Sequence, residues 1–515
     1  MLGKPIQSVL VLGSGTAGLL AAITLKRKSP KLKVSVGGDP GIGVIGVGEG
    51  TTPNFPRLLF DYLGLSRGMF YKLAEPTWKL GIKFKWGPRD HFDYTFGQQL
   101  DTHWAGMQRP IGFYCDDKFQ DMELASALMS ADKAFPRSGP QNLPDIQPWH
   151  AFHIENKKFV GVLEQVTKAS GIDIIDARID HVTTGEHGVE ELRADDGRTF
   201  TADLFIDSSG FRRELICKAL GTKFQSYKSQ LFCDRAVVGG WERGPDEPIL
   251  PYTTAETMDA GWAWQIEHEH LVNRGYVYSS DHISDDEAYE EFKKKNPKIP
   301  DSPRVIPFES GAVETHWVKN VVAVGNSAGF VEPLEATAIM VICMEVQSLA
   351  DMLANNGNIP TPTLKSVYND ALKRVWDDIR EFLALHYLLN TRLDTPFWKR
   401  CQNETELGGL EDLLAFYKEN GPTGFLRNRI RAVQTDFGLE GYLVMLVGNN
   451  VPYENKHHAT SQEMQIFNER RSQYRQVAAN GATVEETLQL IRHPGWQWNS
   501  DRVAQQQQAP QPVMA

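Results

Sequence analysis

A glycine run near the N-terminus restricts the fold of this chain more than any other feature. The run Gly13-Ser14-Gly15-Thr16-Ala17-Gly18 follows an apolar segment, Ser8–Leu12, and leads into a helical pattern over Ala17–Lys28. Such glycines permit a tight turn and let a pyrophosphate approach the helix N-terminus, where free N–H groups favour anions. With a second apolar strand expected over Leu32–Val36, the run predicts the opening βαβ unit of a doubly wound, dinucleotide-binding sheet.

An acidic residue about 20 positions beyond the glycines would accept hydrogen bonds from the ribose hydroxyls. The second predicted strand ends in Val36-Gly37-Gly38-Asp39, which makes Asp39 the nearest candidate. The alternative is an aspartate that only stabilises a turn. The sequence leaves both interpretations of Asp39 open.

Three later segments resemble the loops with which flavoproteins surround FAD. They are Gly46-Val47-Gly48-Glu49-Gly50-Thr51, Asp207-Ser208-Ser209-Gly210-Phe211-Arg212 and Gly325-Asn326-Ser327-Ala328-Gly329-Phe330. Any one of them alone would be read as a tight turn, but all three together after a dinucleotide fingerprint indicate flavin binding. The candidate FAD contacts in them are Gly48, Glu49, Gly50, Thr51, Asp207, Gly210, Gly325 and Asn326. Because no second glycine fingerprint exists for NAD(P)H, we expect the flavin to arrive already reduced.

Composition excludes several other classes of function. A net charge of -11 argues against a nucleic-acid surface, which needs clustered Lys and Arg. No segment reaches the roughly 20 uninterrupted apolar residues of a membrane span. Five cysteines without a Cys-x-x-Cys pair predict free thiols in a reducing cytoplasm. The segments His268-Glu269-His270 and His457-His458 lack further ligands at zinc spacing, so no metal is expected.

Strict alternation of apolar residues over Trp78–Trp86 predicts one strand. Trp78, Leu80, Ile82, Phe84 and Trp86 share one face, and Lys79, Lys83 and Lys85 share the other. Alternation alone predicts a solvated lysine face and does not single out Lys79.

A helix is expected to start near Leu334 or Glu335, after Pro333, and to continue through Met344. The first-turn N–H groups of Thr337 and Ala338 would then be free to bind an anion such as a halide. By pattern alone, Glu335 is a first-turn carboxylate that the helix dipole favours.

A tryptophan pair occurs in Trp262-Ala263-Trp264-Gln265-Ile266. If this segment is extended, both indoles lie on one face. An aromatic core stripe is the structural interpretation of that pattern.

Taken together, these motifs resemble those of the flavin-dependent halogenases of the tryptophan or indole type. The resemblance rests on Lys79 two residues before Gly81-Ile82, on the tryptophan pair and on Glu335-Ala336-Thr337-Ala338, and it runs from about residue 8 to at least 400. Relatives commonly show Glu-Ser-Thr-Gly at the last motif, and proline where this chain has Glu267. The segment His386–Trp398 also resembles the family, and we assign it helix packing and no chemistry.

The resemblance implies an FADH2-dependent halogenase. Oxygen would add to the reduced flavin to give a C4a-hydroperoxide, and halide bound near Thr337 and Ala338 would attack it to give hypohalous acid. As an ammonium, Lys79 would position the hypohalous acid; as a neutral amine, it would form a haloamine. Glu335 would stabilise the arenium ion and help to remove its proton. A separate NAD(P)H-dependent flavin reductase would supply FADH2. The sequence leaves open whether the enzyme prefers chloride or bromide and whether it forms a homodimer.

The substrate side carries fewer signals. Trp262 and Trp264 would separate flavin from substrate, and His103, Trp104, Tyr442 and Tyr453 are candidates for contacts with an aromatic ring. No clear amino-acid clamp is found, which favours indole or another electron-rich arene over free tryptophan. The rival functions are a single-component flavin aromatic hydroxylase and a non-catalytic flavin-binding protein.

The expected fold class is α/β. It comprises a Rossmann-type FAD-binding domain of the flavin monooxygenase type, an inserted β-sheet substrate region and a C-terminal helical region. The predicted boundaries are 1–363 for the FAD-binding domain with its interleaved sheet, 364–500 for the helical region over the substrate site, and 501–515 for a disordered tail.

Overall fold

A parallel sheet forms around the glycine run. The computed structural model describes residues 4–43, 48–97, 107, 112–115, 120–300, 304–430, 437–496 and 498. Within them a six-stranded sheet has the order Asp173–Asp176, Lys33–Gly38, Ser8–Leu12, Leu204–Asp207, Val321–Ala323 and Trp317–Val318. Its first five strands are parallel and the last is antiparallel. The helix Thr16–Lys28 connects the two strands predicted at the N-terminus, so the expected βαβ order is present.

A second, mostly antiparallel sheet has seven strands. Their order is Arg304–Pro307, Arg235–Glu242, Leu271–Tyr278, Gly261–Glu267, Thr253–Met258, Gly81–Lys85 and Phe92–Thr95. Thr253–Met258 and Gly81–Lys85 pair in parallel. Smaller sheets consist of Ile179–Gly185, Gly188–Ala194 and Thr199–Phe200; Phe224–Ser226, Gly311–Val313 and Gly329–Phe330; Glu49–Gly50, Ala151–Ile154 and Thr77–Lys79; and Arg137–Ser138 with Leu143–Pro144.

The prediction of a single strand over Trp78–Trp86 is wrong. Thr77–Lys79 and Gly81–Lys85 are separate strands in two different sheets, with Leu80 between them. The Leu80 N–H donates to Pro251 O at 2.7 Å, so the chain leaves the small sheet and enters the large one at this residue. All three residues of Thr77–Lys79 are buried, so the alternation of apolar and polar residues in the sequence does not correspond to alternating burial in this strand.

Helices surround the sheets and dominate the C-terminal part. The α-helices are Thr16–Lys28, Asn54–Pro56, Arg67–Leu73, Leu124–Ser130, Asn156–Ala169, Asp285–Lys295, Thr337–Asn355, Pro362–Leu389, Pro396–Glu404, Leu410–Asn420, Gly438–Gly448, Ser461–Ala479 and Val484–Arg492. Arg57–Tyr62 and Glu214–Ala219 are π-helical, and short 3-10 turns cover Gly210–Arg212, Gly325–Ser327, Pro333–Glu335 and Gly424–Arg429. The three domain boundaries stay predictions, and the tail 501–515 lies outside the described residues.

One described helix, Thr337–Asn355, has the length and hydropathy of a membrane span. Most of its apolar stretch is buried inside the protein, where it packs against Thr16–Lys28. Burial in a protein core accounts for such a composition.

Two glycines of the N-terminal turn give a matched test of this packing. A methyl group at Gly18 would lie 1.9 Å from Gly13 O, whereas one at Gly15 would meet nothing within 4 Å. We expect Gly18→Ala to destabilise the protein by about 3 kcal/mol, the upper end for overpacking. Gly15→Ala should cost no more than about 1 kcal/mol. Thermal unfolding of the flavin-free variants measures both, and equal melting temperatures would contradict the close approach.

Candidate active site

The N-terminal turn is tightly packed on one side and open at the start of the following helix. Gly13 has φ +121° and packs against Ser208, and Gly18 packs against Gly13. Gly15 is the N-cap of Thr16–Lys28, and no side chain caps that helix. Open space above Gly15 and uncapped N–H groups suit a dinucleotide phosphate at this helix N-terminus.

Asp39 has the geometry of a turn residue. Its Oδ1 accepts the N–H of Gly41 at 2.8 Å, immediately after the strand Lys33–Gly38. This bond matches the turn aspartate that the sequence left open as the alternative. A contact between Asp39 and ribose stays a prediction.

The first of the three predicted flavin loops is described from Gly48 onward. Gly48 has φ +77° and packs against Asn273 and His268. Glu49 accepts a hydrogen bond from Asn156 at 3.1 Å, and burial raises its pKa. The Thr51 hydroxyl donates to Phe152 O and accepts from Phe152 N–H, so this side chain joins two strands and is not free for a cofactor.

Asp207 likewise serves the protein scaffold rather than a ligand. Its buried carboxylate accepts the N–H groups of Leu215 and Ile216 at 2.8 Å and hydroxyl bonds from Ser209 and Ser327. These bonds fix the start of the π-helix to the end of a central strand. The backbone at Gly210 is open, since a methyl group there would meet nothing within 4 Å.

A small cleft joins the third loop to a helix N-terminus. Its lining includes Gly325, Asn326, Phe330, Val331, Thr337 and Ala338. Gly325 has φ +64° and donates its N–H to Glu345 at 2.8 Å, which holds the loop against the helix Thr337–Asn355. The cleft therefore brings the candidate flavin loop and the candidate halide residues to one place.

The helix expected to start near Leu334 or Glu335 begins instead at Thr337. Pro333–Glu335 is a separate 3-10 turn, and Ala336 between them is left-handed with φ +55°. No side chain caps the helix N-terminus. Thr337 is buried and its Oγ1 has no protein partner, so the end that lines the cleft retains polar capacity for an anion.

Lys79 is fully buried, which overturns a solvated lysine face at this position. Burial lowers its pKa to about 7, and the negative charge of Glu335 opposes the shift. Its Nζ has no hydrogen-bond partner among the described residues and lies 5.3 Å from the centre of the Phe96 ring. Both Gly50 and Lys79 belong to the small sheet built on Ala151–Ile154, which is why they meet.

The space above Gly50 is bounded by groups of different chemistry. A methyl group at Gly50 would lie 3.2 Å from Lys79 Nζ, 3.4 Å from Ala336 Cβ and 3.5 Å from Thr253 Oγ1. The amine of Lys79 and the segment that carries Glu335 thus both lie beside Gly50.

His386 is the functional candidate that the sequence analysis missed. Its Nε2 lies 2.7 Å from Glu335 Oε1, and its Nδ1 lies 2.7 Å from Phe382 O. A carbonyl can only accept, so Nδ1 carries a proton and Nε2 faces the carboxyl group. The residue lies seven positions beyond Ile379, on the buried stripe of its helix, where a histidine needs polar partners.

The tryptophan pair lies in the strand Gly261–Glu267, and both indoles are buried. Trp262 Nε1 donates to Glu332 at 3.2 Å, and the Tyr387 hydroxyl donates to the same oxygen at 2.5 Å. Burial raises the pKa of Glu332 to about 7. Trp264 packs directly on Gly275, where a methyl group would be 2.1 Å from its ring.

Glu267 stands where relatives have proline, and it is buried in an ion pair with Arg243. The Gln265 side chain donates to the same carboxylate at 2.7 Å. The departure from the family motif is therefore compensated within this chain.

Two of the remaining substrate-side candidates pack on other aromatic side chains, and two lie outside the described residues. Tyr442 packs on Phe382 with ring centres 5.0 Å apart, and Phe382 in turn contacts His386. Tyr453 packs on Tyr417 and Gly421. His103 and Trp104 lie outside the described residues.

A cluster with metal-ligand spacing consists of Glu75, Glu269 and His270. Glu75 pairs with Lys158 at 2.8 Å, and Glu269 pairs with Arg492 at 2.6 Å. Protein cations already balance both carboxylates, so this cluster supports no metal site.

Comparisons with known proteins agree with this geometry. The family model for tryptophan halogenases matches residues 8–486. Tryptophan 6-halogenase ThaL from Streptomyces albogriseolus is 30% identical over 94% of this chain and 97% of its own. The crystal structure of MibH, a lanthipeptide tryptophan 5-halogenase, superposes with a TM-score of 0.86 at 35% identity, covering 95% of this chain and 93% of that one. BrvH, a flavin-dependent halogenase from Brevundimonas sp. BAL3, gives 0.80 at 29% identity over 94% and 99%.

The fold is mixed α/β with parallel strands, and the candidate site has a buried lysine whose pKa is influenced by the buried Glu335. The chain belongs to the tryptophan halogenase family. It is a flavin-dependent halogenase that uses FADH2, oxygen and halide, with a separate reductase supplying the flavin and an aromatic compound as substrate. The two alternatives, a single-component flavin aromatic hydroxylase and a non-catalytic flavin-binding protein, are not favoured.

Gly50 gives a direct test of the space beside Lys79. Gly50→Ala should lower the yield of ring-halogenated product about tenfold or more, because the added methyl group would crowd Lys79 Nζ and displace the amine from its position. The backbone at Gly50 is not left-handed, so folding should be retained. Gly161→Ala, in open space on a helix, is the control and should keep the yield. A wild-type yield for Gly50→Ala, measured by mass spectrometry, would contradict this geometry.

Proposed function

We propose that the chain halogenates an electron-rich aromatic ring beside Lys79 and Glu335, next to Gly50. The observation that carries the proposal is a buried amine without a hydrogen-bond partner beside the segment that bears a buried carboxyl group. FADH2 and oxygen supply the oxidising equivalent that converts halide to hypohalous acid. The six-stranded sheet is proposed as the Rossmann-type FAD-binding part, with the seven-stranded sheet inserted on the substrate side.

Halide is proposed to bind at the N-terminus of Thr337–Asn355. The backbone N–H groups of Thr337 and Ala338 and the partner-free Thr337 hydroxyl are the donors available in the cleft. FAD is proposed to contact Gly13, Gly15, Thr16, Ala17 and Gly18 through its pyrophosphate, and Gly48, Gly50, Gly210, Gly325 and Asn326 through backbone nearer the ring.

Lys79 is proposed to hold the hypohalous acid and polarise its O–X bond as an ammonium. With a pKa of about 7, the side chain exists in both charge states near neutral pH. The aromatic carbon takes the halogen, and the O–X electron pair returns to oxygen, which becomes water after receiving the ammonium proton. Glu335, held by His386, then receives the ring proton, and the ring electrons restore aromaticity.

Trp262 and Trp264 are proposed to keep the flavin apart from the aromatic substrate. Trp262 and Tyr387 donate to the same oxygen of Glu332. These bonds hold the Trp262 indole against the chain segment that leads from the cleft lining to the residues beside Lys79. Such a barrier would let only the small oxidant reach the ring, which excludes direct hydroxylation.

The substrate is proposed to be an indole, either free or as part of a larger molecule. The relatives act on tryptophan, and the one with a TM-score of 0.86 is named for a lanthipeptide tryptophan. We propose that the enzyme works in the cytoplasm, because all five cysteines are free thiols. A homodimer stays a prediction of the family resemblance.

A single incubation tests the proposed function. The protein is combined with FAD, a flavin reductase, NADH, air, indole or a tryptophan-containing peptide, and chloride or bromide. We expect product masses in which one ring hydrogen is replaced by the halogen supplied. Oxygen addition that is independent of halide, or no product from either substrate class, would contradict the proposal.

Lys79→Ala should reduce halogenated product at least about a hundredfold while FADH2 oxidation continues, because the oxidant is still formed but no longer held. Lys83→Ala is the matched control, since Lys83 lies on the next strand over the Tyr252 ring and is not buried. Product is quantified by mass spectrometry and flavin oxidation by absorbance. A Lys79→Ala enzyme with wild-type product would remove this residue from the proposed chemistry.

His386→Phe should reduce product formation between about tenfold and a hundredfold, because Glu335 loses the bond that positions it. Proton removal should become rate-limiting, so indole deuterated at the site of attack should react more slowly than unlabelled indole. His386→Gln retains an amide that can donate to Glu335 and should recover part of the rate. An unchanged isotope effect in His386→Phe would show that the histidine only packs.

A further inference from the structure

The side-chain hydroxyl of Thr253 shares the space above Gly50 with Lys79 and Ala336. Thr253 is the first residue of the strand Thr253–Met258, which pairs in parallel with Gly81–Lys85 immediately after Lys79. Its Oγ1 would lie 3.5 Å from a methyl group at Gly50, and Lys79 Nζ would lie 3.2 Å from the same point. Lys79 Nζ has no hydrogen-bond partner among the described residues, so the two polar groups lie beside Gly50 without bonding to each other.

A buried histidine orients this hydroxyl. His153 Nε2 lies 2.8 Å from Thr253 Oγ1, and both residues are buried. Burial, together with the positive charge of Lys79, lowers the pKa of His153 well below its usual value, so the imidazole is neutral. Whichever tautomer is present, the Thr253 oxygen keeps a lone pair that can accept a further hydrogen bond.

We propose that the Thr253 hydroxyl is a second polar contact for the hypohalous acid, opposite Lys79, and that His153 fixes its orientation. This inference rests on the proposed halogenase function. The O–H of the acid donates to Thr253 Oγ1, while the Lys79 ammonium donates to the oxygen of the same molecule. Two contacts fix the direction of the O–X bond, whereas one contact would leave the acid free to rotate and escape.

The alanine at position 336 explains why this chain needs the hydroxyl of Thr253. The Ala336 methyl group would lie 3.4 Å from a methyl group added at Gly50, and it offers no hydrogen bond. The side chain before Thr337 therefore contributes only shape, and Thr253 contributes the polar contact. A serine at position 336 would carry its hydroxyl into the same space.

The proton and electron balance of the reaction is unchanged by this contact. The aromatic carbon takes X, the O–X pair stays with oxygen, Lys79 supplies the proton that completes water, and Glu335 accepts the ring proton. Thr253 neither gains nor loses a proton overall, so its effect is retention of the oxidant. Loss of the hydroxyl should therefore appear as leaked hypohalous acid rather than as slower flavin oxidation.

The experiment compares Thr253→Val with wild type in the complete system of FAD, flavin reductase, NADH, air, bromide and indole. A soluble 1,3-diketone is added to trap bromine that leaves the enzyme. We expect the ratio of bromoindole to trapped bromine to fall about tenfold, the effect of one lost hydrogen bond. Thr253→Ser keeps the hydroxyl and should recover most of the ratio, and Ala336→Ser introduced into Thr253→Val should recover part of it.

A merely structural role for Thr253 would lower bromoindole and trapped bromine together. Either that result or a wild-type ratio in Thr253→Val overturns the inference, while bromoindole from the wild-type enzyme upholds the proposed function. If Thr253→Val does not fold, Thr253→Ala carries the same expectation, since it also removes the hydroxyl. No bromoindole or other halogenated product from wild type would overturn the proposed function instead.

Discussion

A left-handed turn at Ala336 is the constraint on which the site depends. It separates the 3-10 turn Pro333–Glu335 from the helix Thr337–Asn355. Thr337 and Ala338 consequently line the cleft with the flavin loop, whereas Glu335 contacts His386 and Ala336 lies beside Lys79. A non-glycine residue in this conformation costs about 1–2 kcal/mol, a price that tertiary contacts on both sides must offset. One short segment thereby borders both the cleft and the surroundings of Lys79, which we propose as two chambers of different chemistry.

Burial decides what the polar groups in the second chamber can do. Lys79 is withdrawn from water and loses affinity for its proton, while Glu335 stays close enough to counter part of that loss. His386 and Thr253 are held by Phe382 O and by His153, so neither is free to rotate away. The chamber therefore consists of groups whose orientation is set before any substrate arrives, which is the arrangement that favours reaction over escape.

Sequence reasoning succeeded where local pattern decides structure. The glycine run and flanking strands predicted the βαβ unit, which the structure contains, whereas the roles that the family resemblance gives to Lys79 and Glu335 stay predictions. It failed at Leu80, because a two-residue period continues unchanged from one sheet into another. It also failed at Ala336, since Pro333 signals a helix start and nothing local signals a left-handed alanine. His386 and Thr253 were missed because their partners are far away in the chain, at Glu335 and at His153.

The central claim is that halide is oxidised in one chamber and used in another. A crystal soaked in bromide, with diffraction recorded at the bromine absorption edge, locates the anion directly. The account predicts an anomalous peak beside the N–H groups of Thr337 and Ala338, on the cleft side of Ala336. A peak at Lys79 Nζ, with none at that helix N-terminus, would contradict the separation of the two chambers.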